Sequence, residues 1–328
     1  MGDMSRPLLS VVIPIYNTEE RYLKACFRTF AIPDNRIELV VVDDGSNVET
    51  HNVISRLLDE VRVKCAFVTK ENGGQNSARQ AGVGQSSGAY VFFLDSDDYV
   101  DPILFFKAVD VLETKSPDVL MFNVARVDDS GHELERYEFA NETGDLTASK
   151  RELIIKSPTL CSQFFARNLL NGYGLVLNTK NGEDMASAVP LIARAKVIYG
   201  MSEYIYKYVV RESSVTRNPL PEDAFAIIVA IDELKNRMPS GFSSELEWLA
   251  IKHVLFYGAE RALKTFGYDP RVKHRLFGYM QTFFPHWRKN PYLQAETHNM
   301  RVAFRLLIRG NWRLYYMLSR CKALLRCA

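Results

Sequence analysis

The first 125 residues alternate between short apolar runs and stretches with helical spacing. Five runs rich in β-branched residues predict strands at residues 8–15, 38–42, 65–68, 90–94 and 119–124. The stretches between them have polar faces and predict helices at residues 20–30, 48–61 and 76–84. Strands that alternate with helices predict an α/β fold, a mostly parallel sheet with helices on both faces.

Polar or special-geometry residues follow four of the predicted strands. They occupy residues 14–17, 43–46, 72–76 and 95–98. Because ligands bind at the carboxyl ends of the strands in such a sheet, these four exits are the predicted site.

Beyond Pro219 the pattern becomes wholly helical. Residues 244–247 predict a capping box, and Asp269-Pro270 and Asn290-Pro291 each place a cap residue before a proline. Gly267 and Gly310 fall where helices should stop. With a boundary near Pro219 and Pro221, the sequence predicts an α/β domain at 1–218 and an all-helical domain at 219–328.

Composition narrows the class of protein. With 47% hydrophobic and 24% charged residues, the 328-residue chain is typical of globular proteins and not of disordered ones. Its five cysteines include no pair at metal-ligand spacing, which favours a reduced compartment over a disulfide framework. No apolar run is long enough to span a membrane, and residues 1–8 lack the core of a signal peptide. We therefore expect a cytoplasmic chain, or one that touches a membrane without crossing it.

The net charge of +2 conceals an uneven distribution. From Arg271 onward there are twelve Lys and Arg residues and one acidic residue, Glu296, for a net charge of +11. The preceding 270 residues carry a net charge of −9. So local an excess indicates an interaction surface for an anionic partner.

The densest acidic cluster is Asp95-Ser96-Asp97-Asp98, directly after a predicted strand. A divalent cation would relieve the repulsion among its carboxylates, although a solvated turn before a helix is the alternative. Asp44 could accept a hydrogen bond from a pyrimidine ring or a ribose hydroxyl, or could form an Asx turn with Gly45. Arg79 could meet a base or phosphate, or lie on a solvated helix face.

Other nucleotide-site motifs are excluded. Gly82 to Gly88 resembles a dinucleotide-binding glycine motif, but it precedes a strand and its last spacing is one residue too long. A Gly-Lys-Ser phosphate loop is absent, and the six histidines form no close pair at metal-ligand spacing. The sequence thus argues against dehydrogenase, P-loop ATPase and zinc-enzyme functions.

Four motifs together resemble family 2 glycosyltransferases of the type that builds bacterial cell-surface polysaccharides. In order, they are Val11-Val12-Ile13-Pro14-Ile15-Tyr16-Asn17, Asp43-Asp44-Gly45-Ser46, Asn72-Gly73-Gly74 with Ala78-Arg79, and Gly88-Ala89-Tyr90 leading into Leu94-Asp95-Ser96-Asp97-Asp98. The resemblance implies a GT-A (Rossmann-like) fold, with a nucleotide-binding half at 1–105 and an acceptor half at 106–218. It also implies a nucleotide-sugar donor, usually linked to uridine diphosphate (UDP).

The resemblance assigns roles to individual residues. It implies that Asp97, in an Asp-x-Asp motif, ligates Mn²⁺ or Mg²⁺ on the donor diphosphate, and that Asp95 faces the ribose. The other residues that it implies for nucleotide-sugar binding are Pro14, Tyr16, Asp44, Asn72 and Arg79.

The family also has a Glu-Asp pair downstream, which Glu183-Asp184 matches. Asp184 would be the general base that takes the proton from the acceptor hydroxyl, and Glu183 would lie near acceptor or diphosphate. The alternative is an acidic first turn that complements a helix dipole. Farther on, Tyr206, Tyr208, Arg211 and residues 214–216 resemble a segment that closes over the substrates. Arg211 would touch the diphosphate or an anionic acceptor, or would be an ordinary exposed arginine.

The predicted reaction is a metal-dependent, inverting transfer of one hexosyl or N-acetylhexosaminyl unit to a cell-envelope glycan or lipid-linked acceptor. A catalytically silent nucleotide-sugar-binding subunit that recruits partners through the basic tail is the alternative. The absence of a Gln-x-x-Arg-Trp motif and of membrane spans disfavours a processive synthase.

The basic tail combines arginines with aromatic and aliphatic residues. Arg301, Arg305 and Arg309 share one predicted helix face, and Trp312, Tyr315, Tyr316 and Leu318 follow them. This composition is typical of a helix on an anionic membrane, here the inner face of the cytoplasmic membrane. Packing within the helical domain, a homo-oligomer contact and a polyanionic acceptor are the alternatives. No nucleic-acid-binding motif accompanies the charge, so we expect no nucleic-acid partner.

Overall fold

The computed structural model describes residues 6–172, 174–177, 179, 181–211, 223–296 and 302–326. The chain forms two compact units. The first comprises Met1–Leu177 and Ser187–Glu212, and the second comprises Asn178–Ala186 and Ser213–Ala328. The predicted boundary at Pro219 and Pro221 lies outside the described residues, so the division into 1–218 and 219–328 stays a prediction.

A single mixed sheet, with ten strands in the described part of the chain, forms the centre of the first unit. The strands are β1 (Leu9–Ile15), β2 (Ile37–Asp43), β3 (Lys64–Thr69), β4 (Tyr90–Phe93), β5 (Tyr99–Val100), β6 (Val119–Val127), β7 (Glu133–Tyr137), β8 (Gly144–Asp145), β9 (Gln163–Ala166) and β10 (Ile198–Val209). Their order is β3-β2-β1-β4-β9-β6-β10-β5, with β7 beside β6 and β8 beside β10.

The sheet confirms the predicted α/β class but contains more antiparallel pairing than expected. Strands β3, β2, β1 and β4 pair in parallel, as predicted, and β6 pairs in parallel with β10. Between these groups, β9 runs antiparallel to both β4 and β6. Its four residues are too few to show a period in the sequence, so β9 was not predicted.

The paired strands β1 and β2 align the loops that follow them. Every residue of both strands is buried, which matches their near-continuous apolar composition. Their register pairs Ile15 with Asp43, the last residue of each strand. The two following loops therefore leave the sheet at the same edge.

Helices α1 to α6 belong to the first unit, and α7 begins in the second. They are α1 (Glu20–Phe27), α2 (Val48–Leu58), α3 (Gln75–Gln85), α4 (Pro102–Lys115), α5 (Lys150–Lys156), α6 (Arg167–Asn171) and α7 (Glu183–Arg194). Side chains cap two of them: Asn47 accepts from the Thr50 amide at 2.8 Å, and Asp101 accepts from the Leu104 amide at 3.1 Å.

Helix α3 lies unusually close to the sheet. Gly82 faces β1 and β2, and a Cβ at that position would overlap Val12 Cγ1 and lie 3.2 Å from Val42 Cγ2. Gly84, two residues later, faces open space. The missing side chain of Gly82 thus seats the helix that carries Arg79.

Interlocking aromatic rings fill the core of the first unit. Phe92 contacts Phe122 and Phe164 edge to face, with ring centroids 5.9 and 4.8 Å apart, and Phe105 meets Phe30 and Phe164 in the same way at 5.9 Å. All five rings are fully buried. Edge-to-face pairs add to the stabilisation from burial and fix the packing of β4 on its neighbours.

The second unit is helical, as predicted. Its helices are α8 (Asp223–Arg237), α9 (Ser243–Ala250), α10 (Ala259–Phe266), α11 (Pro270–Phe283), α12 (Pro291–Glu296), α13 (Val302–Ile308) and α14 (Trp312–Arg326). A π-helical stretch, Ile251–Gly258, joins α9 to α10. Glycines with positive φ, Gly267 and Gly310, follow α10 and α13 where the sequence predicted stops.

The predicted helix starts in this unit have mixed outcomes. Asp269 caps α11 through the Arg271 amide at 2.8 Å, and Asn290 Oδ1 accepts from the Tyr292 amide at 3.0 Å at the start of α12. The predicted capping box is wrong, because α9 begins at Ser243 without a side-chain cap. Its two glutamates bind elsewhere: Glu245 accepts from the Tyr292 hydroxyl, and Glu247 accepts from the Asn290 amide group.

The structure corrects the interpretation of Trp312. Its side chain is 1% exposed, its Nε1 donates to the Leu307 carbonyl at 3.0 Å, and its ring lies 6.1 Å from that of Phe277. Trp312 is therefore a core residue of the helical unit and not an aromatic anchor at a membrane surface. Across the described residues, no helix has both the length and the apolarity that crossing a membrane requires.

The close seating of α3 predicts opposite effects for two alanine substitutions in one helix. Gly82→Ala should lower the free energy of unfolding by about 1–3 kcal/mol, since the new methyl group overpacks the contact with Val12. Gly84→Ala should raise it by about 0.5–1 kcal/mol, because alanine favours the helix and nothing obstructs it. Urea denaturation followed by circular dichroism measures both, and equal effects would contradict the close packing.

Candidate active site

The four predicted strand exits converge on one pocket of about 230 Å³ in the first unit. Among its lining residues are six of the sequence-predicted site residues: Pro14, Tyr16, Asp44, Asn72, Asp97 and Arg211. Arg79 and Asp95 lie behind this wall and support it through the contacts described below. The structure thus brings together eight of the ten predicted site residues, whose roles toward a ligand stay predictions.

Asp44 holds the loop between β3 and α3. Its buried carboxylate accepts from Lys70 Nζ at 2.5 Å, from the Gly74 amide at 2.8 Å and from the Gly73 amide at 3.1 Å. The Asn72 side chain donates to the Asp44 carbonyl at 3.0 Å. Gly74 has a φ of +86°, which a side chain would disfavour. These hydrogen bonds order the pocket wall in the protein without a ligand.

Asp43 organises the neighbouring loop. It accepts from the Ser46 amide at 2.9 Å and contacts His51 Nδ1 at 2.8 Å. Burial alone would raise the pKa of Asp43, but hydrogen bonds from Ser46 and His51 hold it below its usual value. The first aspartate of the pair is therefore structural, while the second lines the pocket.

Arg79 is completely buried, so the alternative of a solvated helix face is wrong. Its Nη2 donates to Asp95 at 2.7 Å, and its Nη1 donates to Asn76 Oδ1 at 2.8 Å. Gln75 donates a second bond to the same Asp95 oxygen at 2.8 Å. The start of α3 thereby neutralises and orients the first carboxylate of the acidic cluster.

The three carboxylates of the acidic cluster point to three different partners. Asp95 pairs with Arg79, Asp97 pairs with Arg211, and Asp98 is buried against Tyr206. In the described residues, no group of three or more His, Cys, Asp or Glu side chains is arranged to hold a metal ion. The separate partners offset the repulsion only in part, since burial and the neighbouring carboxylate charges still raise the pKa values of Asp97 and Asp98.

Asp98 and Tyr206 tie the acidic turn to β10. The Tyr206 hydroxyl donates to Asp98 at 2.6 Å and accepts from the Asp95 amide at 3.4 Å, and the Val209 amide donates to Asp98 at 2.8 Å. Burial raises the pKa of Asp98 well above its usual value, and the charges of Asp97 and Asp95 add to the rise. Tyr206 is fully buried, so it is a structural residue and not part of a segment that closes over substrates.

Asp97 faces the pocket and binds Arg211. The Arg211 guanidinium donates to Asp97 and lies 5.3 Å from the centre of the Tyr22 ring, whose hydroxyl donates to Asp129 at 2.9 Å. Burial raises the pKa of Asp97, and the charge of Asp95 raises it further, while Arg211 opposes both. The alternative of an ordinary exposed arginine is therefore wrong. Residues 214–216 of the same predicted segment lie outside the described residues.

The pocket fits a divalent ion that shares its ligands with a substrate. Mg²⁺ sites at phosphates commonly use one or two protein carboxylates and complete their shell with phosphate oxygens and water. Asp97 is a carboxylate of this kind, and its contact with Arg211 demonstrates that a positive charge is accommodated beside it. An all-protein cage is not formed by the described residues.

Glu183 and Asp184 occupy the first turn of α7, after Gly182 with its φ of +81°. They belong to the second unit, within Asn178–Ala186, whereas the pocket belongs to the first. Their first-turn position matches the structural alternative, and the assignment of Asp184 as the general base stays a prediction.

A larger groove, of about 990 Å³, lies at the opposite edge of the sheet. Two of its four cations are paired with carboxylates: Arg36 with Asp34, Asp110 and Glu113, and Lys64 with Glu38. Because the polar strand exits open at the other edge, the smaller pocket is the better candidate despite its size.

The part of the chain that contains most of the pocket residues matches a known protein family. Residues 10–170, which include the pocket residues from Pro14 to Asp97, match glycosyl transferase family 2. The chain belongs to this family. The match ends before Glu183 and Asp184, so it leaves the base untested.

Curated members of the family are distant relatives. The poly(ribitol-phosphate) β-N-acetylglucosaminyltransferase TarS of Staphylococcus aureus is 25% identical over 236 residues, which cover 69% of this chain and 40% of TarS. The minor teichoic acid biosynthesis protein GgaB of Bacillus subtilis is 28% identical over 213 residues, or 62% of this chain and 23% of GgaB. The chain thus spans less than half the length of these two relatives.

Solved structures of two other proteins share the fold. Residues 1–349 of S. aureus TarS in complex with UDP-GlcNAc superpose with a TM-score of 0.71 at 19% identity, covering 97% of this chain and 92% of that one. The mannosyltransferase PcManGT from Pyrobaculum calidifontis, in complex with GDP-Man and Mn²⁺, gives 0.56 at 15% identity, covering 98% and 88%. This likeness confirms the predicted GT-A fold with its C-terminal helices.

Several residues that shape the pocket were not predicted from the family motifs. Lys70 clamps Asp44, Gln75 binds Asp95, and Tyr22 stacks on Arg211. For Lys70, the sequence offered one indication of a role at the site, namely its position directly after β3. The partners of Gln75 and Tyr22 are distant in the sequence, so no local pattern could reveal these two residues.

The buried Asp98–Tyr206 bond predicts a stability difference between two phenylalanine substitutions on β10. Tyr206→Phe removes a donor from a buried carboxylate and should cost about 1–3 kcal/mol of unfolding free energy. Tyr204 donates to Glu138 in an exposed pair, so Tyr204→Phe should change stability by less than about 0.5 kcal/mol. Guanidinium denaturation compares the two, and an equal loss would contradict a stabilising role for the buried bond.

Proposed function

We propose that this protein is a metal-assisted, inverting glycosyltransferase that moves one sugar from a UDP-sugar to a hydroxyl of a cell-envelope polymer. The observation that carries the proposal is the convergence of four strand exits on one pocket with a carboxylate, Asp97, and a cation, Arg211, in its wall. Opposite charges side by side suit a metal–diphosphate group, which itself carries both signs.

The proposed donor is a uridine-linked N-acetylhexosamine. Its support is the similarity to TarS, whose structure was determined with UDP-GlcNAc and with UDP. In the proposed complex, the wall held by Asp44 and Asn72 faces the nucleoside. Tyr16, which is more than half exposed at the pocket mouth, has a free face on which a base could stack.

Asp97 would hold the divalent ion, Mn²⁺ or Mg²⁺, together with diphosphate oxygens. When bound, such an ion neutralises charge on the leaving diphosphate. Arg79 pairs with Asp95 and thereby orients this carboxylate, which is proposed to face the ribose. The residues therefore provide orientation and electrostatic support around a single displacement.

Asp184 is the proposed general base. An inverting transfer requires a carboxylate that accepts the proton of the acceptor hydroxyl as its oxygen attacks the anomeric carbon. The first turn of a helix favours the ionised form of a carboxylate, which a base needs. Glu183 beside it is proposed to orient the acceptor.

The proposed acceptor is an anionic, polyol-phosphate-like polymer or a lipid-linked precursor of one. The names of TarS and GgaB, which concern poly(ribitol phosphate) and minor teichoic acid, support this class. The net charge of +11 beyond Arg271 complements such a polymer.

Asp184→Asn tests the reaction against the alternative of a silent binding subunit. The variant should bind UDP-GlcNAc as the unmodified protein does, yet lose about 10²–10⁴-fold in turnover, because it removes only the proton acceptor. Calorimetry measures binding, and UDP release with a panel of polyol-phosphate acceptors measures turnover.

Glu152→Gln, which changes another first-turn acid on α5, is the matched control and should retain full turnover. If Asp184→Asn turns over normally, Asp184 is not the base. If the unmodified chain binds donor but no acceptor yields turnover, the silent-subunit alternative replaces the proposal.

We also propose that α14, the last helix of the basic tail, lies on the anionic inner face of the cytoplasmic membrane. Three apolar side chains of α14, those of Leu314, Met317 and Leu318, are 48%, 57% and 48% exposed, and their spacing places them on one face of the helix. Arg313, in the first turn of α14, and Arg309, directly after α13, are exposed as well. Apolar insertion flanked by cations is how an amphipathic helix binds anionic lipid.

Replacing Leu314, Met317 and Leu318 together by glutamine tests this contact. Co-sedimentation with phosphatidylglycerol-containing vesicles at low salt should fall severalfold, because the apolar face is lost while the charge is kept. The control variant carries glutamine at Val48 and Ile103, which are 76% and 81% exposed in the first unit, and should sediment as before. Unchanged sedimentation, or loss of self-association instead, would replace the membrane proposal by a subunit contact.

A further inference from the structure

Arg211 binds Asp97, the residue that is proposed to ligate the divalent ion. Its guanidinium donates to the Asp97 oxygen that lines the pocket, and both residues are partly exposed there. Of the three carboxylates in this turn, Asp97 is the one that lines the pocket, and its partner Arg211 lines it as well. Asp95 binds Arg79 and Gln75, and Asp98 is buried against Tyr206. One carboxylate therefore serves a guanidinium and, by the proposed function, a divalent ion.

The hold on Arg211 is incomplete. Its buried Nε has no hydrogen-bond partner among the described residues, although the same side chain reaches Asp97 through Nη2. The ring of Tyr22 supports the guanidinium on one side, and Asp129 fixes that ring. Buried donors without partners are rare in folded proteins, so the side chain retains unused capacity for an anion.

The backbone before Arg211 is firmly anchored. The Val210 amide donates to the Val127 carbonyl at 2.8 Å, and the Val209 amide donates to Asp98 at 2.8 Å. A change of partner by Arg211 therefore requires rotation of its long side chain and not a shift of β10.

We infer that Arg211 is an internal counter-cation of Asp97 that exchanges this carboxylate for the donor diphosphate when a divalent ion binds. The inference rests on the proposed function. A guanidinium and a divalent ion repel each other at one carboxylate, so the ion competes with Arg211 in the free protein. A diphosphate ends the competition because it gives the freed guanidinium a bidentate anionic partner.

Two consequences follow for binding. The divalent ion binds weakly to the free protein and tightly in the presence of UDP, and by reciprocity UDP binds more tightly in the presence of the ion. Arg211 contributes to both effects, first as the competitor that weakens the ion alone and then as a ligand of the diphosphate.

Mn²⁺ binding by the full chain, measured by electron paramagnetic resonance with and without UDP, tests the exchange. Arg211→Gln should bind Mn²⁺ about tenfold more tightly than the unmodified protein in the absence of UDP, because the charge-assisted competitor is gone. The same variant should bind UDP–Mn²⁺ less tightly. Because Mn²⁺ alone binds more tightly and UDP–Mn²⁺ binds less tightly, UDP should enhance Mn²⁺ binding less than it does in the unmodified protein.

Arg21→Gln is the matched control. The Arg21 guanidinium lies 4.5 Å from the centre of the same Tyr22 ring but pairs with Glu19 and Asp129, and it does not contact Asp97. This variant removes an equal charge from the neighbourhood and should leave Mn²⁺ affinity unchanged. Asp97→Asn should abolish Mn²⁺ binding with or without UDP.

The outcomes separate the exchange from the proposed function. If the unmodified protein binds UDP–Mn²⁺ through Asp97 but Arg211→Gln leaves the affinity for Mn²⁺ alone unchanged, the exchange is wrong and the proposed metal site stands. If Arg21→Gln gains the same affinity for Mn²⁺, the loss of any nearby positive charge explains the effect, and the exchange is also wrong. If UDP–Mn²⁺ does not bind, or binds equally to Asp97→Asn, the proposed metal site fails and the exchange fails with it.

Discussion

The pocket of this protein depends on how three carboxylates within four residues are held by separate partners. At a partly buried turn, the carboxylates of Asp95, Asp97 and Asp98 repel one another unless each has a partner. The fold gives each a different neighbour: a buried arginine, a pocket-facing arginine and a buried tyrosine hydroxyl. This division leaves Asp97 as the carboxylate of the turn whose cation partner lines the pocket.

Two parts of the first unit, α3 and the strand β10 with the residues that follow it, bring these neighbours to the turn. Arg79 comes from α3, which the missing side chain of Gly82 seats directly on β1 and β2. Tyr206 comes from β10, whose parallel pairing with β6 fixes its height in the sheet. Arg211 follows the same strand. The mixed sheet therefore matters to the site, because it adds a tyrosine and an arginine to an edge that the parallel strands alone would leave acidic.

The sequence predicted the parallel strands and their polar exits well, because both signals are local. Runs such as residues 8–15 announce a strand, and the register of β1 with β2 then aligns the exits. The directions of the carboxylates could not be predicted, since Asp97 and Asp98 depend on residues more than a hundred positions away. The capping box failed for a related reason: Tyr292 and Asn290, from another helix, outcompete the local bonds of Glu245 and Glu247. Trp312 was misjudged because composition cannot tell which face of a helix its neighbours cover.

The hydrogen bonds of Asp44 preorganise one part of the pocket, whereas the part that contains Asp97 and Arg211 is closed by an ion pair. Lys70 and two glycine amides already saturate its carboxylate, so the wall assigned to the nucleoside needs no rearrangement and little ordering when a ligand arrives. By the inferred exchange, the part of the pocket that holds Asp97 and Arg211 breaks an ion pair when a diphosphate binds. Binding of the nucleoside should accordingly be limited in rate by diffusional encounter alone. Binding of the diphosphate also requires rotation of the Arg211 side chain. The two ends of one ligand would therefore bind at different rates.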